Sequence, residues 1–393
     1  MHREVFLRTS SDLLAVAIII LTQWHMSRQF LAAIRPRLSA RAMVLVRWAL
    51  AVWYVLIAAA FAAGFSFLAS RYKLPPNPAQ VSGAVAQIWL FGSTAGYLAY
   101  RAVRFLAHKV WGPNFNPTRR RLLNATGGAL LAAPFAVAGY GALVERLDFH
   151  VREVEIPVPN LPDDLDGLRL LHLSDIHLSA FLSEKDLARV IDTANELRPQ
   201  LALVTGDLIT AAGDPLEACL RQIARLRADA GIVGCMGNHE FYAKAEGFTE
   251  SEGGRLGIPF LRHRAQPFRF GGAVLNIAGV DYQQIGRNYL RGAERLVLPG
   301  AYNLLLSHNP DVFPVAVEKG FDLTLAGHTH GGQVTVEILN QSINAARFFT
   351  PYVYGLYRKG AAAEYVTRGI GTIGVPVRFG APPEIALLRL RKA

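Results

Sequence analysis

Residues 168–178 read LRLLHLSDIHL, and the fold is decided by how this stretch is read. Apolar residues surround His172 and run into Ser174, and Gly167 precedes them. A short apolar run bounded by glycine predicts a buried strand. At its carboxyl end the side-chain period of two puts Asp175 and His177 on one side. A carboxylate and an imidazole converging just beyond a buried strand begin a metal site. A strand end that only turns polar is the other reading, and the rest of the chain decides between them.

Outward from this strand, the chain after about Phe149 alternates short apolar runs with amphipathic segments. Residues 154–158 predict a strand leading in. Ser183 opens a helix to Leu197, with Asp186 three residues later as in a capping box. Leu187, Val190, Ile191 and Ala194 follow at helical spacing. Strands are predicted at 201–205, 231–236, 274–280, 303–307 and 322–326, with helices at 215–228 and 310–318. Further strands are predicted at 333–338, 364–367 and 384–390. This alternation predicts an α/β domain.

Five of the predicted strand ends carry polar residues of one chemical kind. They are Asp175 and His177; Asp207 in Gly206-Asp207; Asn238 and His239 in Gly237-Asn238-His239-Glu240; His308; and His328 and His330 in Gly327-His328-Thr329-His330. The carboxyl ends of strands are where open α/β sheets bind ligands. Each block alone is weak, since a Gly-Asp turn is commonly only a turn and a lone histidine a satisfied polar group. Five in series, three of them led by glycine, point to metal. Mixed carboxylate, amide and imidazole ligands suit manganese, iron or zinc rather than calcium.

These blocks, SDIH, GDLI, GNHE, SHNP and GHTH, resemble the signature of the calcineurin-like metallophosphoesterases. The resemblance runs from residue 168 to the C-terminus. Within 365–390, YVTRGIG and GAPPEIALLRL resemble the bacterial membrane-anchored branch. The resemblance implies the metallophosphoesterase fold, an α/β arrangement of two packed β-sheets flanked by helices. It implies two divalent metal ions, manganese first and iron or zinc as alternatives. Asp175, His177, Asp207 and His330 would hold the first ion. Asp207, Asn238, His308 and His328 would hold the second, with Asp207 bridging. Such a pair activates a hydroxide and clamps the phosphate during in-line displacement. His239 would face the substrate as the catalytic residue, stabilising charge or protonating the leaving oxygen. Glu240 would orient His239 or begin a helix.

The chain has 393 residues, 51% of them hydrophobic, with mean hydropathy +0.23. That is too apolar for an ordinary soluble enzyme, and the excess sits in the first third. Segments 43–69, 81–100 and 122–144 match the roughly 20 residues a membrane span needs. Segment 13–26 is a doubtful fourth, since about 14 residues suit an interfacial helix equally well. A transmembrane region over 1–148, with three to four helices, is therefore expected before a catalytic domain over 149–393. The formal net charge is +11. Many arginines flank the apolar runs, so membrane orientation accounts for them and nucleic-acid binding does not. Arg28, Arg35, Arg37, Arg41 and Arg47 form one cluster; Arg101, Arg104, Lys109, Arg119, Arg120 and Arg121 form another. The connection at 70–80 has only Arg71 and Lys73. Holding both clusters in the cytoplasm makes 122–144 carry the catalytic domain to the opposite face. The motif Thr118-Arg119-Arg120-Arg121-Leu122-Leu123 resembles a twin-arginine export signal, or serves as an ordinary basic anchor.

Cys219 and Cys235 form no CxxC and read as small core residues. Residues 347–354, RFFTPYVY, form either a lipid-facing lip or ordinary strand and loop packing. Arg262, His263, Arg264 and Lys244 meet substrate phosphate or only water. The expected function is a membrane-anchored, two-metal phosphoesterase at the outer face of the bacterial cytoplasmic membrane. Its substrate is phosphorylated, and lipid-linked or at the membrane surface. One alternative is a lipid-linked pyrophosphatase similar to UDP-2,3-diacylglucosamine hydrolases, whose cytoplasmic substrate conflicts with that topology. Another is a non-catalytic membrane sensor or scaffold, which the complete ligand set disfavours. A transporter would need interior charges that the apolar segments lack.

Overall fold

The computed structural model describes residues 2–64, 76–112, 116–284, 287–338 and 341–393. The chain divides into two compact units, Met1–Tyr140 and Gly141–Ala393.

The first unit is helical: α1 (His2–Ile34), α2 (Ala40–Ala63), α3 (Pro76–Trp111) and α4 (Pro117–Leu143). Ser39 caps α2, its hydroxyl accepting from the Ala42 amide at 3.2 Å, as N-cap serines do. Its 24 residues reach about 36 Å, enough for a hydrocarbon core. Leu45, Trp48, Val55 and Leu56 on this helix are exposed, an apolar surface that suits lipid. Among the described residues, two segments are long and apolar enough to cross a membrane, Ala40–Ala63 and Pro117–Leu147. The expectation was three to four. Segments 13–26 and 81–100 do lie in helices, within α1 and α3, but polar residues dilute them. There the Gln23 side-chain amide donates to the Ser93 and Thr94 hydroxyls at 2.7 and 3.2 Å. Residues 65–69 of the expected span 43–69 lie outside the described residues. So do 70–75 of the basic-poor connection, with Arg71 and Lys73; its remainder is already α3.

The second unit holds two sheets. In chain order its elements are β1 (His150–Val158), β2 (Arg169–Leu173), α5 (Glu184–Glu196), β3 (Leu201–Val204), α6 (Leu216–Ile223), β4 (Ile232–Gly234), α7 (Asn238–Ala243), α8 (Glu246–Arg255), β5 (Arg264–Phe270), β6 (Ala273–Gly279), β7 (Tyr302–Leu306), α9 (Phe313–Lys319), β8 (Leu323–Ala326), β9 (Thr335–Ile338), β10 (Gln341–Asn344), β11 (Gly355–Lys359), β12 (Ala362–Val366) and β13 (Glu384–Lys392). One sheet runs β1-β13-β2-β3-β4 and the other β11-β12-β8-β7-β6-β5, with β9 and β10 a separate hairpin. Strands β2, β3 and β4 are mutually parallel, as are β12, β8, β7 and β6. Parallel strands covered on both faces read as continuous apolar runs, which is why LRLLHL and LALV look as they do.

The pleat sorts these runs into two cores. Leu170, Leu201 and Leu203 face the second sheet, where Leu304, Leu306, Leu323, Leu325 and Tyr365 meet them. Leu171, Leu173, Ala202 and Val204 face the helices, against Leu187, Val190 and Ile191 of α5. The capping box at α5 is present, Ser183 with Asp186. Three strands escaped the sequence reading: β10, in the separate hairpin, and two edges. β5 (RAQPFRF) and β11 (GLYRK) are sheet edges, half solvated, and β5 carries a proline that only an edge tolerates. Leu304→Ala, between the sheets, removes a fully buried side chain at a cost of about 2–5 kcal/mol. The melting temperature of the purified chain should therefore fall by at least about 4 °C; an unchanged value in a fluorimetric scan would remove the inter-sheet layer as the source of stability.

Candidate metal centre

The residues of interest sit on loops that leave the carboxyl ends of β2, β3 and β4 in one sheet and β7 and β8 in the other. Strand β2 ends at Leu173, two residues before Asp175. The pleat therefore does not bring Asp175 and His177 together, contrary to the expectation. Both have left-handed backbones, φ 51° and 49°. So do Asp207 (φ 55°), His328 (φ 72°) and His330 (φ 52°). Asp and His tolerate this region better than bulky residues, and such strain gathers where function sets backbone shape. The loops are tied to one another: the Asp175 amide donates to the Gly206 carbonyl at 3.1 Å and the His177 amide to the Asp207 carbonyl at 3.0 Å. Two leading glycines have steric causes. A Cβ on Gly237 would lie 2.1 Å from Asp207 Oδ1, and one on Gly327 would lie 2.2 Å from Asp175 Oδ2.

Six of the seven expected ligands converge, and the seventh, Asn238, is buried on the loop after β4. His330 Nε2 lies 3.3 Å from Asp175 Oδ1, and His177 Nε2 lies 3.6 Å from Asp207 Oδ2. His308 Nε2 lies 3.0 Å from Asp207 Oδ2 and 3.2 Å from His328 Nδ1. The ring of His239 meets that of His177 edge-on at 4.8 Å, and its Nε2 lies 4.0 Å from Asp207 Oδ2. Three groups could each hold an ion: Asp175, His177 and His330; His177, Asp207 and His239; and Asp207, His308 and His328. Asp207 belongs to two of them. His239, expected beside the ligands rather than among them, is close enough to join one.

Burial sets the protonation states. It pushes His177 down to about 3 and His328 down to about 4, and holds His330 well below the usual range. These rings are neutral at pH 7, with lone pairs free to ligate. Burial also opposes charge on His308, but Asp207 and Asp175 outweigh it and lift His308 to about 10. Burial favours neutral Asp207, yet His308 and His239 hold its carboxyl well below the usual range. Burial raises Asp175, which His308 only partly offsets. Backbone carbonyls fix two tautomers: His308 Nδ1 donates to the Thr205 carbonyl at 2.7 Å and His239 Nδ1 to the Thr210 carbonyl at 2.5 Å. Both Nε2 atoms are left facing Asp207.

The donor set fits divalent metal. His177 Nε2 and Asn238 Oδ1 are buried without a hydrogen-bond partner, a cost of about 1–3 kcal/mol each unless something binds them. Carboxylate, amide and imidazole donors, with no thiolate among them, suit manganese, iron or zinc.

The sequence reading missed the supports. Glu240 does begin α7, its carboxylate accepting from the Gly237 amide at 2.8 Å. It also accepts from the amides of Asp207 and Leu208 at 2.9 and 2.8 Å, so one buried side chain pins two ligand loops. It makes no contact that orients the His239 ring. Arg378 is fully buried and donates to the carbonyls of Arg368, Gly369, Gly371 and Ala381. That holds the 368–371 turn against Asp175, where the Gly371 amide donates to the Asp175 carbonyl at 2.6 Å. Nothing short of the fold marks a distant arginine for this task. The surface bases do other work: Arg262 pairs with Asp281 at 2.8 Å and Arg264 with Glu250 at 2.5 Å. Lys244 ends α7 in a left-handed turn.

A family model described as calcineurin-like phosphoesterase matches residues 168–332, the stretch that bears the seven expected ligands, His239 and Glu240. The chain is similar to the uncharacterized metallophosphoesterase YkuE of Bacillus subtilis, with 29% identity over 70% of this chain and 98% of that one. It is 30% identical to the uncharacterized protein YpbG of the same organism, over 57% of this chain and 81% of that one. A transmembrane protein with metallophosphoesterase domain from Danio rerio is 32% identical over 65% of this chain; only 61% of the fish protein is spanned. The chain belongs to the calcineurin-like phosphoesterase family, metal-dependent hydrolases of phosphate esters that use a dinuclear divalent metal centre.

Proposed function

We propose that the chain is a membrane-anchored, two-metal phosphoesterase whose catalytic domain, 149–393, works at the outer face of the cytoplasmic membrane. The observation that carries the reading is the convergence of His177, His308 and His328 on Asp207, together with the buried, unsatisfied amide oxygen of Asn238. Asp175, His177, Asp207 and His330 hold one ion, and Asp207, Asn238, His308 and His328 the other, manganese in both. The ions supply Lewis acidity toward the phosphoryl oxygens and an acidified water. The chain's own groups do the rest. His239 takes no place in either ligand set. Thr210 keeps its proton on Nδ1, so a second proton on Nε2 is the one it can give to the leaving oxygen. Two segments able to cross a membrane and the name of the Danio rerio relative support the anchoring. The arginine distribution supports the sidedness.

Asp207→Ala should lose both ions by elemental analysis, because Asp207 bridges them. His239→Ala should keep both and lose turnover by roughly 10²–10⁴-fold. Retained metal in the first variant, or near-normal turnover of a poor leaving group in the second, would reverse these assignments.

Loading should also release protons. His308 carries a proton at pH 7 in the ion-free site because its pKa stands near 10, and a metal ligand must shed it. Calorimetric titration of chelator-stripped protein with Mn²⁺ in buffers of different ionisation enthalpy should show about one proton released per site pair. Apparent affinity should rise from pH 6 to pH 8; proton uptake or a falling affinity would contradict the charged pair.

Sidedness is checked by reporters fused after Ala393. Alkaline phosphatase should be active there and a fluorescent protein dark; the opposite pattern would place the catalytic domain in the cytoplasm. Lys at both Arg119 and Arg120 should abolish export only if the motif is a twin-arginine signal.

A further inference from the structure

The hairpin of β9 and β10 is built inside out. Its inward pair is polar: Thr335 lies opposite Asn344, and both are buried. Thr335 donates to the Gly331 carbonyl at 2.9 Å, and the Asn344 side chain packs over Gly332. These bonds pin the hairpin to the loop that carries His328 and His330. Its outward pair is apolar: Val336 lies opposite Ile343, at 43% and 55% exposure. A hairpin facing water has the reverse pattern. The apolar surface continues through Phe348, 86% exposed, and Phe349, 58% exposed. The aromatic run at 347–354 is thus divided. Tyr352 stacks edge-on with Phe313 and Tyr357, and Val353 is buried, while the two phenylalanines stand out.

This surface is continuous with the candidate metal centre. Phe349 also lines a cavity of about 330 Å³ whose wall includes His328, His330, Asn309 and Ile373. On the other flank of the site, Phe241 and Tyr242 are exposed, and Tyr282 lies between Tyr242 and His328. Residues 335–354 contain one acid, Glu337, and one base, Arg347. Exposed aromatic rings beside a base complement the interface of an anionic bilayer. Only two residues separate the membrane-competent segment Pro117–Leu147 from β1, which begins at His150, so the covalent chain keeps this unit near lipid.

We infer that the β9–β10 hairpin and Phe348–Phe349 form a lip that docks into the lipid surface, so that the cavity beside His328 and His330 opens at the level of the lipid headgroups. The inference rests on the membrane-anchored phosphoesterase reading above, and its test is separable from that reading. Cys219 and Cys235 are fully buried, so a thiol-reactive spin label on the full-length F348C variant reports position 348 alone. An E217C variant, on the exposed charged face of α6, serves as the aqueous reference. Both are reconstituted in vesicles of phosphatidylcholine and phosphatidylglycerol. The label at 348 should collide more with oxygen, which concentrates in lipid, than with a water-soluble nickel chelate; the order should invert at 217. A 348 label that behaves like 217 overturns the docking. A label shielded from both reagents places protein over the lip and overturns it too. Turnover of p-nitrophenyl phosphate by the wild-type vesicles is scored separately. Its absence with a lipid-embedded label, when bis(p-nitrophenyl) phosphate is not turned over either, removes the phosphoesterase reading and leaves the docking in place.

Discussion

Two carboxylates buried side by side with five imidazoles are the constraint on which the second unit is built. Asp175 and Asp207 have almost no exposure, and charge in such a place is tolerated only when it is paired or bound to metal. His308 Nε2 lies 3.0 Å from Asp207 Oδ2, and the two carboxylates outweigh the burial that opposes charge on its ring. The same burial, without so strong a counter-charge, keeps His177, His328 and His330 neutral. The glycines before Asn238 and His328 follow from the crowding this requires, because their backbones lie at contact distance from the carboxylates of neighbouring loops.

The two-sheet architecture exists to aim those loops. Parallel strands in each sheet end at one edge, and the two edges meet where the donors cluster. Leu and Val fill both faces of the central strands, which leaves the loop ends as the place where polar groups can gather without disturbing the core. Rigidity comes from below: the Thr205 carbonyl orients His308, and the Thr205 hydroxyl meets His172 at 2.8 Å beneath it.

Much of this was legible in the order of residues. Strand ends, the Ser183–Asp186 cap and the six Asp and His side chains that converge could be named because each depends on a short local pattern. What stayed hidden depends on distance or on backbone sign. The left-handed turns at Asp175 and His177 replace the pleat that the sequence suggests, since nothing in SDIH fixes φ. Arg378 reads as a surface base in VPVRFG, and only the return of β13 beside β2 brings it under the site. The inverted hairpin could not be read from TVEI and QSIN, because which side of a short strand faces inward is settled by what it packs on. Edge strands β5 and β11 escaped because half-solvated sequence resembles loop.

Glu240 joins the amides of Gly237, Asp207 and Leu208 in one grip. Two kinds of decay are therefore open to a duplicated copy of this chain. On the roles proposed above, drift at His239 would silence the chemistry while the donor loops stay clasped, and the product would be a metal-holding receptor. Drift at Glu240 would release three buried amides at once and let both loops go together, so the copy would forfeit its ions along with its activity. A lineage that keeps the clasp but drops the histidine has been retained for holding something, and one that drops the clasp has not.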